Sequence, residues 1–106
     1  MYTRLVEVRC KTGKSNDVAR AIDEKVLPIL RKQQGFRDEI SLISHDDPNR
    51  IVGLSFWDRR EDAERYQRES FSQVSEVLRP LCEGEPKIAN FDVSTSTAHK
   101  ITQKAA

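Results

Sequence analysis

Arg50-Ile-Val-Gly-Leu-Ser-Phe-Trp-Asp58 is the stretch that decides the fold. Its β-branched and aromatic residues up to Trp57 read as a strand, and a charged helical pattern opens at Asp58. A short side-chain oxygen at a helix start accepts an orphan backbone N–H, so Asp58 is expected to cap that helix, with Glu61 completing a capping-box-like pair. Ala63, Tyr66, Ser70, Val74, Val77, Leu78 and Leu81 then recur at helical spacing as an inner stripe. Unbroken from Asp58 to Cys82, such a helix would run roughly 36 Å at about 1.5 Å per residue. A neighbouring strand spans only about 20–30 Å. A break is therefore expected near Ser70-Phe71-Ser72, giving a helix and a shorter second piece.

Working towards the N-terminus, His45-Asp-Asp-Pro-Asn49 is a turn cluster, and Phe36 to Ser44 alternates as a strand, so 36–57 reads as a hairpin. Before it, Val18, Ile22, Val26 and Ile29 lie at helical spacing behind a candidate cap at Ser15 or Asn16. Pro28 has no N–H for the carbonyl of Glu24, so a kink or loosened turn is expected there, and Gly35 is a natural stop. Tyr2 to Cys10 alternates as a first strand. Towards the C-terminus, Glu83-Gly84-Glu85-Pro86 closes the second helical segment and Lys87 to Thr95 reads as a fourth strand. The order β-α-β-β-α-β has one compact solution: an α+β, ferredoxin-like fold with a four-stranded antiparallel sheet and both helices on one face. One domain spans 2–95, and a small polar tail, 96–106, follows; it is expected to be loose unless a partner holds it.

Composition narrows the function classes. The chain has 106 residues, 33% of them charged and 37% hydrophobic, so its core is thin or shared with a second copy. Lys plus Arg total 18 against 17 for Asp plus Glu, which gives no electrostatic case for nucleic acid or an anionic membrane. No apolar run is long enough to span a bilayer, and no start resembles a signal peptide, so a cytoplasmic location is expected. Cys10 and Cys82 are too few and too far apart in sequence for a disulfide framework or a zinc motif and read as reduced buried thiols, with a redox pair or a reactive thiol as the alternative.

Helices can cover only one sheet face. The expected core phase is Val6, Val8 and Cys10, then Ile40 and Leu42, then Val52, Leu54 and Phe56, with Phe91 and Val93. The opposite phase carries Leu5, Glu7, Arg9, Ser41, Ile43, Ile51, Gly53, Ser55, Trp57, Asn90 and Asp92. Its apolar members would forfeit several kcal/mol in water at about 25 cal/mol per Å². A second sheet packed against it is the economical cover.

The motifs VLPILRKQQGF (26–36), IVGLSFWDRREDAERYQ (51–67) and FSQVSEVLRPLC (71–82) resemble the antibiotic biosynthesis monooxygenase family of the dimeric α/β-barrel superfamily. The resemblance implies a homodimer whose sheets pack into a barrel, each subunit with a pocket between sheet and helices. It also implies oxidation of aromatic phenols or quinols without metal, flavin or other cofactor. Some members use a tryptophan at the end of this strand, a position held here by Trp57. Trp57 would then stack on an aromatic substrate and steady an anionic oxygen with its indole N–H; alternatively, it packs on the second helix near Tyr66. The haem-degrading branch is not matched: its asparagine, tryptophan and haem-ligating histidine fall on about Val6, Tyr66 and Glu76.

The remaining candidates are supporting groups. Tyr66, Arg9, Ser55 and Asn90 are expected in a substrate pocket, with Glu7 and Arg9 as either a pocket or a dimer-interface ion pair. His45 is a candidate acid–base residue because histidine titrates near neutrality, although its Asp46-Asp47-Pro48 context is also what a turn requires. No metal site is expected. The run Arg59 to Glu69 reads as a solvated face with Glu61–Arg65 and Glu64–Arg68 pairs. The competing functional class is a non-catalytic ligand-binding or interaction module on the same barrel. An isomerase or decarboxylase on that scaffold is a third.

Overall fold

The computed structural model describes residues 1–101. Its elements follow the expected order: β1 Tyr2–Cys10, α1 Ser15–Ala21, α2 Leu27–Arg31, β2 Phe36–Ile43, β3 Arg50–Trp57, α3 Arg60–Glu69, α4 Phe71–Leu78 and β4 Cys82–Asp92. The four strands form one antiparallel sheet in the order β2-β3-β1-β4, and the helices cover one face. This is the ferredoxin-like α+β arrangement.

Local chemistry explains most boundaries. Pro28 stands in the first turn of α2, and the chain between α1 and α2 widens into a π-helical turn, Ile22–Val26. Widening relieves the turn that Pro28 cannot bond. The second helical segment breaks at Ser70, as its length requires, and the Ser70 hydroxyl donates to Gln33 Oε1 at 3.3 Å. Neither expected cap forms. Ser15 is itself the first helical residue. Asp58 turns away to accept a two-pronged hydrogen bond from Arg37 Nε and Nη2, and α3 starts two residues later behind an extended Arg59. At α3 the ion pairs among the described residues are Arg60–Glu64, Arg59–Glu61, Arg59–Asp62 and Arg65–Asp62 rather than the expected Glu61–Arg65 and Glu64–Arg68.

β4 begins five residues earlier than expected. Glu83-Gly84-Glu85-Pro86 is not a closing turn but a bulge within the strand, where pairing with β1 jumps between Glu7 and Arg9. Gly84 takes φ +66°, and Pro86 sits where no ladder N–H is needed. The early start brings Cys82 directly opposite Cys10, both as free thiols. Burial raises both thiols, Cys82 to about 11, which leaves them protonated at neutral pH.

The sheet phase is the main correction. Val6 lies opposite Gly53 and Arg4 opposite Ser55, so the helix-covered face carries Ile51, Gly53, Ser55 and Trp57 rather than Val52, Leu54 and Phe56. A bulge at Arg37 gives β2 the matching phase, with Glu39 opposite Ser55. Ile40, Leu42 and Phe91, expected in the core, are 42%, 48% and 50% exposed on the other face. Both faces are apolar, so hydrophobicity alone could not choose between them. The helix-free side still needs a cover, but its apolar members are Leu5, Ile40, Leu42, Val52, Leu54, Phe56 and Phe91. Part of the tail already lies there: the His99 ring packs 5.3 Å from Phe56 and its Nε2 is 3.2 Å from Asp38 Oδ2.

Candidate functional site

A cavity of about 290 Å³ opens between the covered sheet face and the helices. Its floor includes a row of polar residues running straight across the sheet. Arg4 on β1 is directly opposite Ser55 on β3, and Ser55 is directly opposite Glu39 on β2. Asn90 on β4 extends the row beyond Arg4. Beside this row Gly53 adds no side chain, which leaves the floor low. The roof is apolar: Ile22, Val26 and Leu30 from the first helical segment, Tyr66 from α3, and Phe71 and Val74 from α4. A low, polar strip under an apolar roof suits a flat ligand that carries a few polar groups.

Arg4 is the residue that sequence reasoning missed. It is only 3% exposed, and its Nε and Nη2 have no hydrogen-bond partner among the described residues. Its guanidinium carbon lies 4.6 Å from the Phe71 ring centre and 5.8 Å from that of Tyr66. The aromatic faces hold the cation in place without satisfying its N–H edge. Burial pulls its pKa below the ordinary arginine value, partly offset by Tyr66 and Tyr2. The signal was present in the sequence: an arginine in phase with Val6, Val8 and Cys10 is a charge on the core side of a strand.

Glu39 is the second missed residue. Burial raises the pKa of its carboxyl, while the Ser41 hydroxyl donates to Oε2 at 2.6 Å and partly opposes that rise. The result is a carboxylate with increased proton affinity facing a cavity.

The sequence-derived candidates are scattered relative to this cavity. Ser55 and Tyr66 line it. Trp57 does not: it is fully buried, its ring centre stacks 5.1 Å from that of Tyr66, and its indole N–H donates to Ser55 Oγ at 2.9 Å. Its ring has no open side for a substrate, and its donor is already engaged, so Trp57 buttresses Ser55 and Tyr66 from behind. Asn90 lines a separate hollow with Tyr2 and Arg4. Arg9 is on the helix-free face, exposed, and bonded to Asp47 at 2.7 Å. Glu7 pairs with Arg50 rather than with Arg9. His45 projects from the β2–β3 turn with its side chain fully in solvent and lines neither hollow.

The model for the family described as antibiotic biosynthesis monooxygenase matches residues 1–81. The chain belongs to this family. Among solved structures it is similar to SnoaB from Streptomyces nogalater, described as a cofactor-independent oxygenase. The two share 16% identity over 92% of this chain and 98% of that one, with TM-score 0.73. It is also similar to the monooxygenase ActVA-Orf6 of Streptomyces coelicolor, solved with the ligand nanaomycin D. That pair shares 16% identity over 90% of this chain and 88% of the other, with TM-score 0.76. A candidate antibiotic biosynthesis monooxygenase from Nitrosomonas europaea is 21% identical over 88% of this chain and 98% of its own, with TM-score 0.73. At these identities the likeness establishes the shared fold. Among curated proteins, no relative matches. No helix of this family member, among its described residues, is long and apolar enough to cross a membrane.

Proposed function

We propose that the protein is a homodimeric, cofactor-independent monooxygenase acting on a hydroxylated aromatic compound of the phenol or quinol type. The observation that carries this reading is the polar row Arg4–Ser55–Glu39 beneath the apolar roof of the cavity. Family membership and the description of SnoaB as a cofactor-independent oxygenase support it.

The chemistry follows from the groups present. A substrate ring lies in the cavity beneath its apolar roof. Glu39, with its raised proton affinity, takes the proton of the ring hydroxyl. The resulting phenolate is electron-rich enough to reduce O₂. The buried Arg4 cation favours negative charge in the cavity, where low dielectric makes that help larger than in water. Oxidation of a phenol to a quinone by one O₂ leaves one oxygen in the product and one in water. All four electrons come from the substrate.

An oxygen electrode with a panel of hydroxynaphthalenes tests the proposal. Wild type is expected to consume O₂ in proportion to quinone formed. Glu39→Gln is expected to lower kcat by roughly 10²–10⁴-fold, the range of a lost general base, with little change in KM. Absence of uptake across the panel, with tight binding of the same compounds, would instead favour the ligand-binding module.

A further inference from the structure

The unsatisfied edge of Arg4 has a specific shape. Nε and Nη2 are the two donors on one side of the guanidinium, and together they form a fork. The same protein shows what such an edge grips: Arg37 uses its Nε and Nη2 to hold both carboxylate oxygens of Asp58. At Arg4 the identical pair of atoms is buried and unpartnered among the described residues, on a residue 97% enclosed that lines the cavity. A buried cation without a counter-charge is costly unless something completes it.

We infer that the cavity's ligand is an aromatic carboxylate that draws the Arg4 guanidinium off the Phe71 ring, its two oxygens held by Nε and Nη2 of Arg4 and its ring lying beneath the apolar roof. This rests on the proposed function only for the identity of the site, because binding does not require turnover. It adds a substrate class: a hydroxyaryl carboxylate. Arg4 and Glu39 are two strand spacings apart, roughly 10 Å between backbones, on one face of the sheet. A ring bridging them can place its carboxylate at Arg4 and its hydroxyl at Glu39. The other charges facing the cavity are compatible. Glu39 accepts the Ser41 hydroxyl at 2.6 Å and lies two strands away from Arg4. Glu83 and Glu85 lie on the exposed bulge at the rim, and Arg79 there pairs with Glu76. Solvated rim carboxylates slow entry of an anion at low salt more than they weaken its bound state.

Isothermal titration of the full chain with naphthoate, naphthamide and acetate tests the assignment, since none of the three is oxidised. Wild type is expected to bind naphthoate about 10–100-fold more tightly than naphthamide, the span of a charge-assisted bidentate bond, and acetate weakly for want of a ring. Arg4→Met is expected to bring naphthoate and naphthamide to equal affinity. Arg4→Lys, which keeps the charge but not the fork, is expected to fall between. Equal affinities for the two ring compounds in wild type would overturn the inference whether or not the variants fold. So would failure of naphthoate to bind, or a preference that survives Arg4→Met. Loss of O₂ uptake with the carboxylate preference intact would refute the monooxygenase reading and leave this site standing.

Discussion

Single side chains carry two opposite kinds of information in this protein. Gly35 follows the first helical segment with φ +81°, and a Cβ there would drive into the carboxylate of Asp62. Asp62 cannot retreat, because it is buried and held by Arg59 and Arg65 at 3.5 and 3.2 Å. Gly35→Ala therefore combines left-handed backbone strain with overpacking and is expected to cost roughly 2–4 kcal/mol, read as a lower denaturation midpoint in urea. The glycine stop was legible in the sequence; the Asp62 contact that fixes its identity was not, because it joins residues 27 positions apart. Arg4 and Glu39 show the complementary limit. Their types are ordinary, and only the enclosing roof makes one an unsatisfied cation and the other a carboxyl with raised pKa.

At the scale of elements, α3 and α4 behave as the length argument requires, and their inner stripe delivers Tyr66 and Val74 to the core. Tyr66 brings a titration with it. Burial raises its hydroxyl from 10.0 to about 12. A group with a raised folded pKa binds its proton more tightly in the native state, so its contribution is complete below the unfolded value of about 10 and is lost as pH climbs towards 12. Stability is expected to fall by roughly 2–3 kcal/mol across that window, and Tyr66→Phe is expected to remove that component of the fall. Urea midpoints measured from pH 9 to 11 check this; a slope unchanged in Tyr66→Phe would refute it. The strands were less legible than the helices. A helix shows its buried stripe by period, whereas β2 and β3 are apolar on both sides, and their phase is set by pairing with β1 and by the bulge at Arg37.

For the whole molecule, the apolar helix-free face is the decisive surface. Each half-exposed Leu, Ile or Phe on it gains roughly 1 kcal/mol when covered, enough in sum to rival the stability of a small domain. Sedimentation at micromolar concentration is expected to give a dimer. Leu42→Glu, at a position already 48% exposed in the single chain, is expected to shift it to monomer and lower its thermal midpoint. A monomeric wild type that is fully folded would remove the barrel from the proposal.

Periodicity, glycine and proline placement and chain order were enough to determine the ferredoxin-like fold, the helix break and the family resemblance, because those features are local and repeat along the chain. Which side of the sheet faces inward, and which polar groups share the cavity, only the tertiary structure decided. Both depend on strand register, a relation between residues distant in sequence, and one step of register exchanges every side chain between the two faces. That exchange separated Arg9 from the site, sealed Trp57 behind it, and set Arg4, Ser55 and Glu39 in one line.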